Sequence, residues 1–214
     1  ADFMDAVQKA AKSAQGEMAK RREADEAKKF EQAFEKPLVP EIRKDESFRG
    51  SKDGPITLVE YSDFQCPACR QGYNVVNKVK ETYGDKVRVL LKHLPLESIH
   101  PYAKAAAQYY EAIALQDHKK ARKFHDIIFE SQADLRVGAV GFLDKTAKKV
   151  GANLSKVKKD IKSTKVNKLL AMDLAEAQKF GFNGTPGFLV NGVSINGAYP
   201  FPYFKQIIDR HLKN

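Results

Sequence analysis

The stretch Val59-Glu60-Tyr61-Ser62-Asp63-Phe64-Gln65-Cys66-Pro67-Ala68-Cys69-Arg70 contains both cysteines of the 214-residue chain. Two thiols in a C-P-A-C spacing can be a structural staple, part of a metal site, or a pair whose bond is made and broken. As a staple the pair is poor, because so small a loop barely restricts the unfolded chain. A structural zinc needs about four ligands. No second C-x-x-C exists, and His93, His100, His118, His125 and His211 show no close zinc-type spacing. A two-thiolate Cu(I) site stays open on softness alone, and redox chemistry is the stronger reading.

The surrounding pattern supports it. Ile56 to Tyr61 is apolar and β-branched and predicts a strand, while Cys66 to about Tyr83 predicts a helix with Val75, Val76 and Val79 in its apolar stripe. Lys86 to Leu91 predicts a second strand, which completes a β-α-β unit with the cysteines where strand gives way to helix. A thiol there meets unpaired backbone N–H groups and the positive end of the helix dipole. Cys66 is therefore expected to be exposed and to ionise low, within roughly 3.5 to 7.5 for active C-x-x-C pairs. Pro67 suits the first helical position, since no hydrogen bond is lost there. Cys69, one turn on, is expected to be shielded and to act as the resolving thiol.

Farther along, residues 103–115, 119–129, 140–150 and 154–180 predict helices, with a break near Ser163 in the last. Phe188 to Ile195 predicts a hairpin about Asn191-Gly192, and Phe201 to Leu212 a closing amphipathic helix. Residues 1–36 are rich in Ala, Lys and Glu and predict a helix with a heptad-like seam of Met4, Val7, Ala11, Ala14 and Met18. Such a stripe either lies on its own domain or pairs with another copy, and self-association is the expectation. Pro37, Pro40, Gly50, Gly54 and Pro55 among charges mark residues 37–55 as a linker or irregular arm.

The net charge is +10. Residues 1–36 are neutral, so the excess belongs to the rest, notably the lysines from Lys145 to Lys168. That segment has no aromatic residue for base stacking, so it reads as a solvated face and no nucleic-acid partner is expected. No run of about 18 apolar residues occurs to span a bilayer.

Phe64-Gln65-Cys66-Pro67-Ala68-Cys69, the helical insertion, and Gly184-Thr185-Pro186 before a hairpin resemble the DsbA-like branch of the thioredoxin superfamily, over about residues 56–212. The resemblance implies an α/β thioredoxin-like fold over 56–214 with an inserted helical domain at about 96–181, plus the N-terminal helical oligomerisation segment. It implies a cis Thr185–Pro186 bond facing the cysteines, with Thr185, Pro186, Pro67 and Ala68 around the substrate, and Glu60 as a buried acid that moves the resolving proton. A strand-end carboxylate reaching solvent is the alternative for Glu60, and His93 and His100 read as structural. The expected activity is thiol–disulfide exchange on unfolded or misfolded secreted proteins, with a membrane redox partner and no cofactor beyond the Cys66–Cys69 disulfide. The implied compartment is the periplasm, with a mature chain whose signal peptide is absent from this sequence. Ala68 stands where the oxidase archetype has histidine, and Thr185 is the residue type that disulfide isomerases carry before the cis-proline. An oligomeric isomerase is thus favoured over a monomeric oxidase, or over a chaperone or Cu(I)-binding protein.

Overall fold

A computed structural model describes residues 2–44 and 46–213. The chain divides after Pro37 into two units. The first is one long helix, α1 (Asp2–Glu35), built from strong helix formers and followed at once by Pro37, which cannot continue it. Phe30 and Phe34, one turn apart, meet edge to face at 5.1 Å. The seam residues Met4, Val7, Ala11, Ala14 and Met18 are all exposed.

The second unit is a five-stranded mixed sheet in the order β1-β3-β2-β4-β5. Its strands are β1 (Phe48–Gly50), β2 (Ile56–Ser62), β3 (Val87–His93), β4 (Gly187–Val190) and β5 (Val193–Asn196). The pair β2 and β3 is parallel and joined through α2 (Pro67–Tyr83), whereas the β1–β3, β2–β4 and β4–β5 pairings are antiparallel. Both central strands are almost wholly buried, as the inner strands of a sheet covered on both faces are. The β4–β5 turn places Asn191 at φ 45° and Gly192 at φ 88°, the left-handed pair that an Asn-Gly hairpin supplies. Asn191 also accepts from Thr57 N–H at 2.7 Å, so the hairpin tip is tied to the start of β2.

Between β3 and β4 lie α3 (Ala103–Ala114), α4 (His118–Glu130), α5 (Gln132–Lys149), α6 (Leu154–Asp160) and α7 (Thr164–Lys179); α8 (Phe201–Lys213) closes the chain. Ser163 caps α7 by accepting from Val166 N–H, so the break expected near Ser163 is real. The helix expected from Val140 begins earlier, at Gln132, and is broken at Ala139 (φ 46°, ψ −135°). One core joins the insertion helices to α2 and the cysteines. A second, on the opposite face of the sheet, packs Val59, Tyr61, Leu90 and Leu189 against Ala177 and Phe182.

The segment read as a linker is the main departure from the sequence expectation. From Leu38 onward it belongs to the second unit. Leu38 N–H donates to Gly192 O at 3.0 Å, and β1 adds an edge strand to β3. Arg43 donates to Asp173 at 2.8 Å. Lys92, only 2% exposed, donates to Glu41 O at 2.8 Å and stands 3.2 Å from Glu176. Of the arm's charges, Glu46 stands 3.8 Å from this lysine buried in β3, and Arg43 pairs with Glu46 and Asp173 beside it. Removing one member of such a cluster strands another, at about 3–5 kcal/mol.

Candidate active site

Cys66 is the N-cap of α2 (φ −71°, ψ 122°), and Pro67 occupies the first helical turn. The Cys66 carbonyl accepts from Cys69 N–H at 3.1 Å and Arg70 N–H at 3.3 Å. Both thiols are free. The Thr185–Pro186 bond is cis, as the resemblance implies, and Thr185 O lies 3.5 Å from the Cys66 sulfur. Cys66 is 7% exposed and Cys69 is fully buried. The expectation of an exposed Cys66 is thus corrected: the Thr185 loop comes down on its sulfur. Ala68 packs at the edge of the same core.

The two thiols are held in opposite proton states. Hydrogen bonding from Cys69 lowers the Cys66 pKa to about 5 against the pull of burial, helped by Thr185 and the backbone amides of Cys69 and Ala68. Burial raises Cys69 well above the ordinary thiol value, and its neighbour Cys66 adds to the rise. The low Cys66 value is reached without a histidine at position 68, since the donors here are the Cys69 thiol and α2 backbone N–H groups.

Glu60 is 1% exposed and accepts from the Ser62 hydroxyl at 2.8 Å. Burial raises its pKa, opposed by Arg49 and by the Ser62 hydrogen bond. Ser62 also stands close enough to Cys69 to work against the rise in the Cys69 pKa. Asp63 N–H, next in sequence, donates to the Cys69 sulfur at 3.4 Å. Glu60 therefore lies inside, behind Ser62, rather than at a strand end in water.

Residues missed in the sequence hold this loop. Gln132, at the start of α5, donates from Nε2 to Phe64 O and Cys66 O, each at 2.9 Å. Asp63 accepts from Gln65 N–H at 2.7 Å, Leu96 N–H at 2.9 Å and the His100 ring at 2.8 Å. His93 pairs with Glu111 at 2.9 Å; the two histidines brace the frame. A free glutamine in a helical stretch carries no local signal of such a role. Among the described residues no group of three or more His, Cys, Asp or Glu is arranged for a metal ion. Eight of the nine lysines between Lys145 and Lys168 are exposed; the other, Lys158, pairs with Asp144 at 2.7 Å.

A sequence profile described as Thioredoxin matches residues 43–210. The chain belongs to the thioredoxin family. Its β-α-β and β-β-α halves flank the helical insertion of the DsbA-like members, as expected from the sequence. A thioredoxin-like oxidoreductase from Silicibacter pomeroyi DSS-3 superposes with TM-score 0.69 at 25% identity, over 80% of this chain and 95% of that one. BdbD from Bacillus subtilis shares the fold with TM-score 0.71 at 23% identity, over 83% and 96% of the two chains. In sequence, Na(+)/H(+) antiporter NhaA 3 of Salinispora tropica is 33% identical over 162 residues, 76% of this chain. The chain spans about a quarter of the length of the curated relatives it matches, 24% in that case. No described helix of this thioredoxin-family chain is long and apolar enough to cross a membrane.

Proposed function

We propose that this chain is a protein thiol–disulfide oxidoreductase that works as an oligomeric disulfide isomerase. The observation that carries the redox reading is the split between the two thiols, Cys66 lowered to about 5 and Cys69 raised, at one helix N-terminus. At neutral pH the Cys66 thiolate attacks a sulfur of a client disulfide. A Cys66–client bond forms, the client bond breaks, and the second client sulfur leaves as a thiolate. Cys69 then gives its proton to Glu60 through Ser62 and attacks Cys66. The Cys66–Cys69 disulfide forms and the client departs reduced. In isomerisation, a client thiolate attacks the mixed disulfide first and returns both enzyme thiols unchanged.

In this reading Thr185 and Pro186 present the client backbone to Cys66, with Pro67 and Ala68 forming the rest of the contact. The isomerase preference rests on Thr185 before Pro186 and on the exposed seam of α1, which we assign to self-association. Clients are unfolded or misfolded secreted proteins, the compartment is the periplasm, and a membrane redox partner resets the pair. The Cys66–Cys69 disulfide is the whole redox carrier.

Recovery of activity from a scrambled multi-disulfide protein tests this, comparing the full chain with one lacking residues 1–36. Recovery by the full chain alone is expected. Rapid oxidation of a reduced peptide with no recovery by either form would instead mark a DsbA-like oxidase, the reading that a low Cys66 pKa also favours.

A further inference from the structure

The short strand β1 carries a second charge to the sheet face beneath the cysteines. Arg49 pairs with Val89 of β3, and Val89 with Leu58 of β2. Strand alternation then puts Arg49, Leu58 and Glu60 on one face. Arg49 is 4% exposed and Glu60 1%. Its Nη2 donates to Asn77 at 2.9 Å and reaches Asp126 at 3.4 Å, and its guanidinium stacks 5.4 Å from the Tyr73 ring centre. Arg49 Nη1 and Glu60 Oε2 are both buried without a hydrogen-bond partner. Isolated, each would be a costly interior charge; on one face of a low-dielectric core they offset one another through space.

The other groups facing this pair do not replace that interaction. From α2 come Tyr73, Asn77 and Lys80; from α3, Tyr110; from α4, His125 and Asp126; from β2, Ser62. Burial lowers the His125 pKa to about 3, so it stays neutral. Asp126 is 42% exposed, so water screens its hold on the guanidinium. Burial drives Glu60 toward the neutral acid, and Arg49 is the largest influence opposing it.

We propose that Arg49 is a positioning residue for the resolving step: its guanidinium holds Glu60 in the carboxylate form that takes the Cys69 proton. The role rests on the redox reading above. The proton passes from Cys69 Sγ through the Ser62 hydroxyl to Glu60. The electron pair left on Cys69 forms the bond to Cys66, and the bond from Cys66 to the client sulfur breaks, with that sulfur leaving as a thiolate. The arm residue thus sets how readily the second half of exchange proceeds, and leaves the nucleophile alone.

Reduced protein mixed with excess glutathione disulfide separates the two halves. A bimolecular phase forms the mixed disulfide at Cys66, and a concentration-independent phase is the attack by Cys69. Each is followed against pH. In Arg49→Met the acid limb of the second phase moves up by about one pH unit, a tenfold slowing on that limb. The first phase keeps its profile, and Arg49→Lys returns the limb toward wild type. An unmoved limb in folded Arg49→Met overturns the proposal, as does Arg49→Lys behaving like Arg49→Met. Should Arg49→Met not fold, Arg49→Gln, whose amide can still donate to Asn77, reads the same coupling: the limb moves up, and an unmoved limb overturns the proposal. No exchange by wild type defeats the redox reading, and an unchanged second phase in Glu60→Gln defeats Glu60's part; either removes this role as well. Failure of Arg49 alone shows as a slowed Glu60→Gln beside an unmoved Arg49→Met.

Discussion

The Cys66 sulfur and the Thr185 carbonyl oxygen stand 3.5 Å apart, across a gap of 119 residues in sequence. The Thr185 hydroxyl is buried without a hydrogen-bond partner of its own, and Thr185 is among the influences that lower the Cys66 pKa to about 5. Thr185→Val keeps the shape and removes the hydroxyl. Its thiolate absorbance should titrate at a higher pH than that of wild type. An unshifted curve would leave the Cys69 thiol and the α2 amides as the whole cause.

Exchange should be lost in Cys66→Ser, whereas Cys69→Ser should accumulate mixed disulfides with clients, since nothing inside resolves them. Non-reducing gels of the two variants distinguish the roles. Trapping by Cys66→Ser and not by Cys69→Ser would reverse them.

Stability of the reduced form should depend on pH in a definite direction. The folded Cys66 pKa of about 5 lies below its ordinary 9.0, so folding favours the thiolate. This contribution is complete above about pH 9, shrinks as pH falls, and is gone below about 5. The disulfide form lacks it. Paired thermal melts of reduced and oxidised protein should therefore diverge progressively from pH 5 toward pH 8, with the reduced form gaining. A constant gap over that window would contradict the assigned thiolate.

Gln132→Leu leaves the Phe64 and Cys66 carbonyls without the side-chain donor they share. A loss of about 1–3 kcal/mol is expected in denaturant melts, chiefly the cost of the Phe64 carbonyl left unmet, since the Cys66 carbonyl keeps the amides of Cys69 and Arg70. Because α5 starts at Gln132, the change should also loosen the insertion against the redox loop, visible as faster amide exchange at Cys66 and Ala68. A variant as stable and as protected as wild type would show the two bonds to be dispensable.

What was readable in the sequence was local. The β-branched runs at 56–61 and 86–91, the Asn-Gly hairpin and the C-P-A-C at a strand-to-helix junction each carry their signal within a dozen residues. Gly184-Thr185-Pro186 was placed opposite the cysteines by resemblance rather than by pattern. Arg49, Ser62 and Gln132 were missed because their meaning lies in partners brought close only by folding. Three-residue β1 is too short for alternation to register. Its edge position follows from pairing with β3, and the sequence around it is mostly charges, serines and glycines. Lys92 did carry a hint: a lysine inside an apolar strand demands buried acids, and Asp173 and Glu176 supply them from α7. The Ala139 break in α5 has a positive φ at a residue that ordinarily avoids it, and no motif announces it.

The bond from Leu38 N–H to Gly192 O joins the first residue after Pro37 to the tip of the β4–β5 hairpin. It makes that hairpin the mechanical anchor of the chain's leading segment. Tension drawn along the polypeptide from α1 arrives first at Gly192. From there it is shared with Thr57 through the Asn191 side chain, and so with the strand that carries Glu60. Under a pulling force the hairpin latch is loaded before the cysteine-bearing helix, which sits behind it in the line of strain.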